Sequence, residues 1–477
     1  TKATLTRRAA EPGAIFPIAS ADWAFADCRV TPFPGRPSEA AVSLRGGFDP
    51  AFLYELVYVA KDPPVLGIGL AATRDIVSFF RHESRDAAGA PNPLAARVRH
   101  VVAQGVSQSG NFTKTFLHLG FNEDESGRVV WDGVNVHVAG RQVPLNLRFA
   151  LPGGAAGLHE PGSEGVLWWS PWPDATRGRP EPASLLDRAR AAKVVPKIME
   201  TFGSAEFWSL RMSPGLVGTD AAADIPLPPE VRRYYFPGTA HGGGGGGFDT
   251  TPASAVDYLG LAGNPNPIRE THRALFLALI DWVAKDAEPP PSRYPRLDRG
   301  ELVPPDAAST GFPSIPGAPL PDNLLNPFFE YDFGQGFDHA DVSGVLSRQP
   351  PRIRRVLPSL VPRVDADGNE VGGAPSVLHQ APLGTYLGWS VAGGGFYRDR
   401  AAGFAASFIP FRKTRAERLA AGDPRPSLEE RYGSRETYLE RVREAAKRAV
   451  AEGLLLPEDA HRLVAQAEAG DVLRPLP

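Results

Sequence analysis

The stretch VRHVVAQGVSQSG, running from Val98 to Gly110, decides the reading of this 477-residue chain. Its first part, Val98 to Ala103, is short and β-branched and reads as a strand that ends at Gly105. Gly105-Val106-Ser107-Gln108-Ser109-Gly110 follows as a tight turn, and Asn111 to Leu119 returns to helical spacing. A strand entering a helix through Gly-x-Ser-x-small-Gly is the setting of a nucleophile elbow. The turn holds its serine in a strained backbone conformation, so the neighbours two residues away must be small. Gly105 meets that need before Ser107, and Ser109 meets it after, where glycine is usual. The Ser107 hydroxyl is then exposed at a helix N-terminus, and the Gln108 amide can point at a developing oxyanion, aided by the helix dipole. Two other readings stand beside this one. Ser107 can simply cap the helix, or Ser109 can be the nucleophile, although Ser107 rather than glycine precedes it by two.

Working outward, strands are expected at Leu53–Ala60, Val129–Val138, Lys193–Phe202 and Val231–Phe236, with helices at Gly69–Arg81 and Ile268–Ala287. Strands and helices alternating at this pace predict an α/β fold, a mostly parallel sheet with helices on both faces. Residues 1–290 are the expected core. Within it Arg141–Ala192 is a long Gly/Pro-rich insertion holding Trp168, Trp169 and Trp172, which reads as a lid or substrate wall, or as a packed surface excursion. After Pro289-Pro290-Pro291 the character changes. Residues 291–477 are expected to be a C-terminal extension packed on the core, loop-rich over 292–400 and helical from Ser427 to Ala469. Ser427 and Glu430 form a capping-box pattern there, and Tyr438, Leu439, Val442, Ala445, Ala446, Ala449 and Val450 share an apolar face.

A serine nucleophile needs a base, and the chain has ten histidines. His82, His100, His118, His137 and His272 lie in or beside expected elements and read as surface or packing residues. His241 follows the strand Val231–Phe236 after the turn Pro237-Gly238-Thr239-Ala240 and precedes the six glycines Gly242–Gly247. A histidine on a loop past the last strand suits a general base. The glycine run either lets that loop approach the serine or is a linker. Between serine and histidine, Lys193–Phe202 ends in Gly203-Ser204-Ala205-Glu206, so Glu206 sits at a strand tip, where a carboxylate can accept the second ring N–H. Glu200 inside the strand and Asp220 and Asp224 in the following loop are its competitors.

The composition is globular, with 42% hydrophobic and 22% charged residues. A net charge of −3 gives no reason to expect nucleic acid or an anionic membrane as partner. The best apolar run, Ala274–Ala284, is too short to span a bilayer and carries Asp281. Cys28 is the only cysteine, which excludes an intrachain disulfide and a cysteine metal site. No histidine pair has metal-ligand spacing, Gly67-Ile68-Gly69 does not continue as a phosphate loop, and no cofactor is expected. The chain starts at Thr1, which fits either a removed leader or further residues upstream. A secreted or periplasmic setting is slightly favoured, and the compartment stays open.

The segments Gly46–Asp75, Ser107–Gly133, Ser204–Trp208, Gly238–His241, Pro382–Trp389 and Ser407–Tyr432 together resemble a group of bacterial α/β-hydrolase-domain proteins. The elbow followed by Trp131-Asp132-Gly133 is also similar to that of tannase and feruloyl esterase relatives. The resemblance implies the α/β-hydrolase fold and a Ser107, Glu206, His241 triad, and the family adds little about substrate; a small-molecule ester is the expected one. Asn111 stands where a basic residue is expected, and the glycine run after His241 is longer than usual. The second oxyanion donor is unlocated, with the Val59–Gly67 loop as candidate. The expected function is ester hydrolysis. The alternatives are a lactonase, peptidase or acyltransferase on the same fold, or a non-catalytic binding protein.

Overall fold

The structure is a computed structural model that describes residues 3–62, 65–140, 165–249, 261–339, 346–348 and 350–474. Its centre is a four-stranded parallel sheet: β1 (Val102–Val106), β2 (Gly133–His137), β3 (Lys197–Gly203) and β4 (Val231–Phe236), lying side by side in chain order. The register places Ala103, Val134, Ile198 and Val231 in one row and Met199 beside Arg232 in the next. Side chains alternate across a strand, so neighbouring rows face opposite sides. Val134, Val136, Ile198 and Val231 pack with Phe116 and Leu117 of helix α2 (Gln108–His118). Met199, Tyr234 and Phe236 pack with Leu275, Leu279 and Trp282 of helix α4 (Arg269–Lys285). Both faces are thereby covered, which is why β2 is buried throughout, with its two polar side chains, Asn135 and His137, hydrogen-bonded to the Met199 carbonyl and to Thr201 Oγ1.

Strand starts differ from expectation for local reasons. β1 begins at Val102, because residues 98–101 are held as an entry loop, with Val101 N–H bonded to the Asp132 carboxylate. Val130 and Trp131 stay outside β2, where the Asn122 amide bonds the Trp131 backbone on both sides. Pro196 has no N–H to donate, and β3 starts after it at Lys197. The strand read at Leu53–Ala60 runs over Leu53–Val57 and pairs antiparallel with Thr4–Arg8, away from the parallel sheet. Helix α1 (Ile68–His82) follows it.

Beyond Pro291 the chain forms short antiparallel pairs, among them Phe328–Asp332 with Arg352–Leu357 and Gly384–Tyr386 with Ser407–Pro410. One buried cluster joins Phe202, Phe207, Trp208 and Tyr235 of the sheet side to Leu302, Phe312, Val361 and Trp389. A second joins Tyr386 and Phe408 to α5 (Arg435–Ala451) and α6 (Pro457–Ala469). The Ser427–Glu430 capping box forms, and Tyr438, Val442, Ala445, Ala446 and Ala449 are the buried face of α5. Of the insertion, residues 141–164 lie outside the described residues, so that part of the lid expectation cannot be placed. Trp168 and Trp169 are buried with Phe116 and Trp131, and Trp172 opens a two-stranded ribbon. Among the described residues no helix is long and apolar enough to cross a membrane.

Candidate active site

Ser107 joins β1 to α2 with φ 56° and ψ −118°, a backbone conformation an L-residue holds only when its surroundings impose it. They do so here. Ser107 N–H donates to the His137 carbonyl at 2.8 Å, tying the turn to the end of β2. The Ser109 hydroxyl donates to the Val106 carbonyl at 2.7 Å and accepts from Val106 N–H at 2.8 Å, closing the turn from the other side. The approach of helix to strand requires glycine: a Cβ on Gly105 would lie 2.3 Å from the Ser109 carbonyl oxygen. The competing readings of the two serines separate at this point. Ser109 is engaged with the backbone, and the Ser107 side chain makes no capping bond.

The Ser107 Oγ lies 2.7 Å from His241 Nε2, and His241 Nδ1 lies 2.5 Å from Glu206 Oε1. Three strand ends supply this chain of hydrogen bonds. Glu206 sits in the short helix α3 (Ser204–Trp208) that leaves β3 directly, and its Oε2 accepts Gly203 N–H at 2.6 Å. It has no exposed surface, and burial pushes its carboxyl above the usual range against the pull of its hydrogen bond with His241. His241 follows β4 in a turn closed by Gly243 N–H on the Ala240 carbonyl. Two of the glycines after it are closely packed: a Cβ on Gly243 would lie 2.7 Å from Ile268 Cγ1, and one on Gly244 2.2 Å from the Pro265 carbonyl carbon. This pair seats the loop against residues 264–268, while Gly242 and Gly245 face open space.

The competitors are accounted for elsewhere. Glu200 accepts from Lys114 at 2.8 Å and Arg233 at 2.7 Å inside the sheet. Asp224 binds the N–H groups of Leu297 and Asp298, and Asp220 that of Ala222. His137 bonds Thr201 and stacks on His272 at 3.9 Å, and burial drives its ring pKa down to about 2, keeping it neutral. Sequence reasoning missed Phe404. Its ring stacks on the His241 imidazole with centroids 4.2 Å apart, and it comes from a loop with no periodic or motif signal.

Alongside Ser107 and Gln108 runs a cleft of about 670 Å³ walled by Val65, Leu66, Ile68, Leu70, Val106 and Phe112, with no charged side chain in its lining. Residues 65–67 ahead of α1 and the helix's first turn line the same cleft as Gln108 at the start of α2. A larger crevice of about 820 Å³ opens at Val231, Arg232, Arg293 and Arg296, at the end of β4 opposite His241. Parallel α/β sheets do their chemistry at the carboxyl ends of the strands, which favours the smaller cleft. Three arginines of the larger crevice are also already paired, Arg232 with Glu288, Arg293 with Glu452 and Arg296 with Asp298.

A family model for the alpha/beta hydrolase domain matches residues 19–465. The chain belongs to that family. Searches of curated proteins and of solved structures find no match. This alpha/beta hydrolase has no group of three or more His, Cys, Asp or Glu side chains placed to hold a metal ion among its described residues.

Proposed function

We propose that this hydrolase cleaves carboxylic esters through an acyl-enzyme, with Ser107 as nucleophile, His241 as general base and Glu206 as the carboxylate that orients and charges the imidazole. The observation that carries the proposal is the unbroken hydrogen-bond chain Ser107–His241–Glu206. The elbow's likeness to tannase and feruloyl esterase relatives supports esters as the substrate class. His241 Nε2 takes the Ser107 proton as Oγ attacks the ester carbonyl. Glu206 accepts the Nδ1 proton's hydrogen bond and offsets the imidazolium charge. The Gln108 N–H, free of an intrahelical partner at the helix start, holds the oxyanion. A second donor comes from the backbone around Gly67–Gly69, which lines the same cleft. His241 then protonates the departing alcohol and activates water for deacylation.

The cleft also orients the substrate. It lies on the Gln108 side of Ser107 and is apolar and uncharged, so it suits the acyl part. The leaving alcohol then faces His241 and Phe404. In the same reading residues 291–477 are an extension that borders the mouth of the site, bringing the Phe404 ring onto the imidazole.

The test is covalent labelling by a fluorophosphonate together with turnover on aryl esters, lactones and amides. Labelling at Ser107, lost in Ser107→Ala with a fall in ester turnover of about 10⁴-fold or more, is the expected outcome. Ester turnover surviving Ser107→Ala overturns the assignment, and faster turnover of lactones or amides than of esters overturns the substrate class.

A further inference from the structure

We infer that Glu370, from the region beyond Pro291, is a positioning residue that locks the strand tip carrying Glu206 to the turn carrying His241; this rests on the Ser107–His241–Glu206 reading above. Glu370 is 4% exposed. Its Oε2 accepts from the Ser204 hydroxyl, the Tyr235 hydroxyl and, at 2.7 Å, the Gly238 N–H. Its Oε1 accepts the Trp208 indole N–H at 3.1 Å. The Ser204 oxygen in turn accepts Thr239 N–H at 3.1 Å. Ser204 and Trp208 bracket Glu206 on α3, while Gly238 and Thr239 lead directly into His241. One carboxylate therefore holds both segments whose spacing sets the His241–Glu206 hydrogen bond.

Nothing in its charge balance explains such a group in a core. Among the described residues no cationic side chain forms a salt bridge with Glu370, and burial pushes its carboxyl pKa upward. A buried carboxylate without a counter-ion is costly, and an apolar filler would pack more stably. What the carboxylate supplies is acceptor capacity for four donors from two segments, a task no apolar residue can perform. Glutamine fails at it as well, because its NH₂ group opposes either the Trp208 N–H or the donors at Oε2.

The test uses Glu370→Gln in the full chain, with active sites titrated by fluorophosphonate burst. The expected result is a fall in kcat per titrated site of about 100-fold, the scale of an ångström-sized misplacement of catalytic groups. KM should stay within about twofold, since the acyl cleft is untouched. Glu370→Asp, which keeps an acceptor-only head, should recover part of the loss. Should Glu370→Gln fail to fold, Tyr235→Phe and Ser204→Ala each remove one bond to the carboxylate and should lower kcat per site severalfold with KM held. Unchanged turnover per site, with only a lower melting temperature or fewer titratable sites, would reduce Glu370 to a fold-stabilising role and overturn the inference. Full activity in Ser107→Ala would instead sink the parent reading, whatever the Glu370 variants do.

Discussion

Two buried glutamates on one segment, Glu200 within β3 and Glu206 just past its tip, live in opposite surroundings. Burial alone would raise the pKa of Glu200, but Lys114 and Arg233 outweigh it and pull the group down to about 2. Glu206 is buried as deeply and has no full cation beside it, only the His241 ring, so its carboxyl is pushed up. The interior of the sheet neutralises its charge and the tip leaves it unbalanced. In the proposed mechanism the counter-charge appears only when the imidazole gains a proton, so the Glu206 carboxylate would stabilise a step of the reaction rather than the resting fold.

The sharpest way to break that contrast is Glu206→Gln, which keeps the shape and removes the charge. Turnover should fall by about 10⁴-fold, as expected when the imidazole loses the partner that fixes its tautomer and offsets its charge. Stability should move the other way. A group whose folded pKa is raised contributes stability at pH below its unfolded value and loses it as pH rises, so at neutral pH ionised Glu206 is a cost that glutamine removes. An unchanged or higher melting temperature with activity lost is the expected pair of readings from thermal unfolding and ester assay. Activity within tenfold of wild type would dissolve the contrast.

Glu200→Gln is the mirror experiment. It strands two buried cations and should cost about 3–5 kcal/mol in urea unfolding, while turnover per titrated site stays nearly constant. The linkage follows from the depressed pKa. Stability from Glu200 is present above its ordinary value of 4.5 and is lost as pH falls through about 2. Full protonation removes on the order of 3 kcal/mol. Unfolding free energy measured from pH 5 to pH 2 should therefore drop in wild type and drop less steeply in Glu200→Gln, where other paired carboxylates such as Asp124 and Glu430 still titrate. Equal slopes would mean that Lys114 and Arg233 do not hold the charge.

The same division decides what was legible in the sequence. Ser107, His241 and Glu206 stand out because each follows an apolar strand, and strand tips are readable from hydrophobic runs and the turn chemistry that ends them. Strand boundaries were less so: Val98 is β-branched yet lies in an entry loop, since propensity does not report the Asp132 carboxylate that holds Val101 there. The strand at Leu53 was legible as a strand, but its antiparallel partner Thr4–Arg8 was not, because pairing is a non-local choice. Phe404 and Glu370 left no trace at all. Both come from loop-rich sequence without period or motif, and each matters only through contact with residues more than a hundred positions away.

The smallest effect lies inside the elbow, where Ser107 and Ser109 repeat the contrast at close range. The Ser109 hydroxyl closes the turn through Val106, but it is exposed, so water can replace part of what it gives. Ser109→Ala should therefore cost only about 1 kcal/mol of stability and leave turnover within about tenfold, because the strained Ser107 backbone is also held by the His137 carbonyl and by the Gly105 approach. If Ser109→Ala instead abolished turnover while leaving the Ser107 label intact, the second serine would take part in the chemistry, and the separation between residues that build the turn and the residue that attacks would fail at the place where the two are closest.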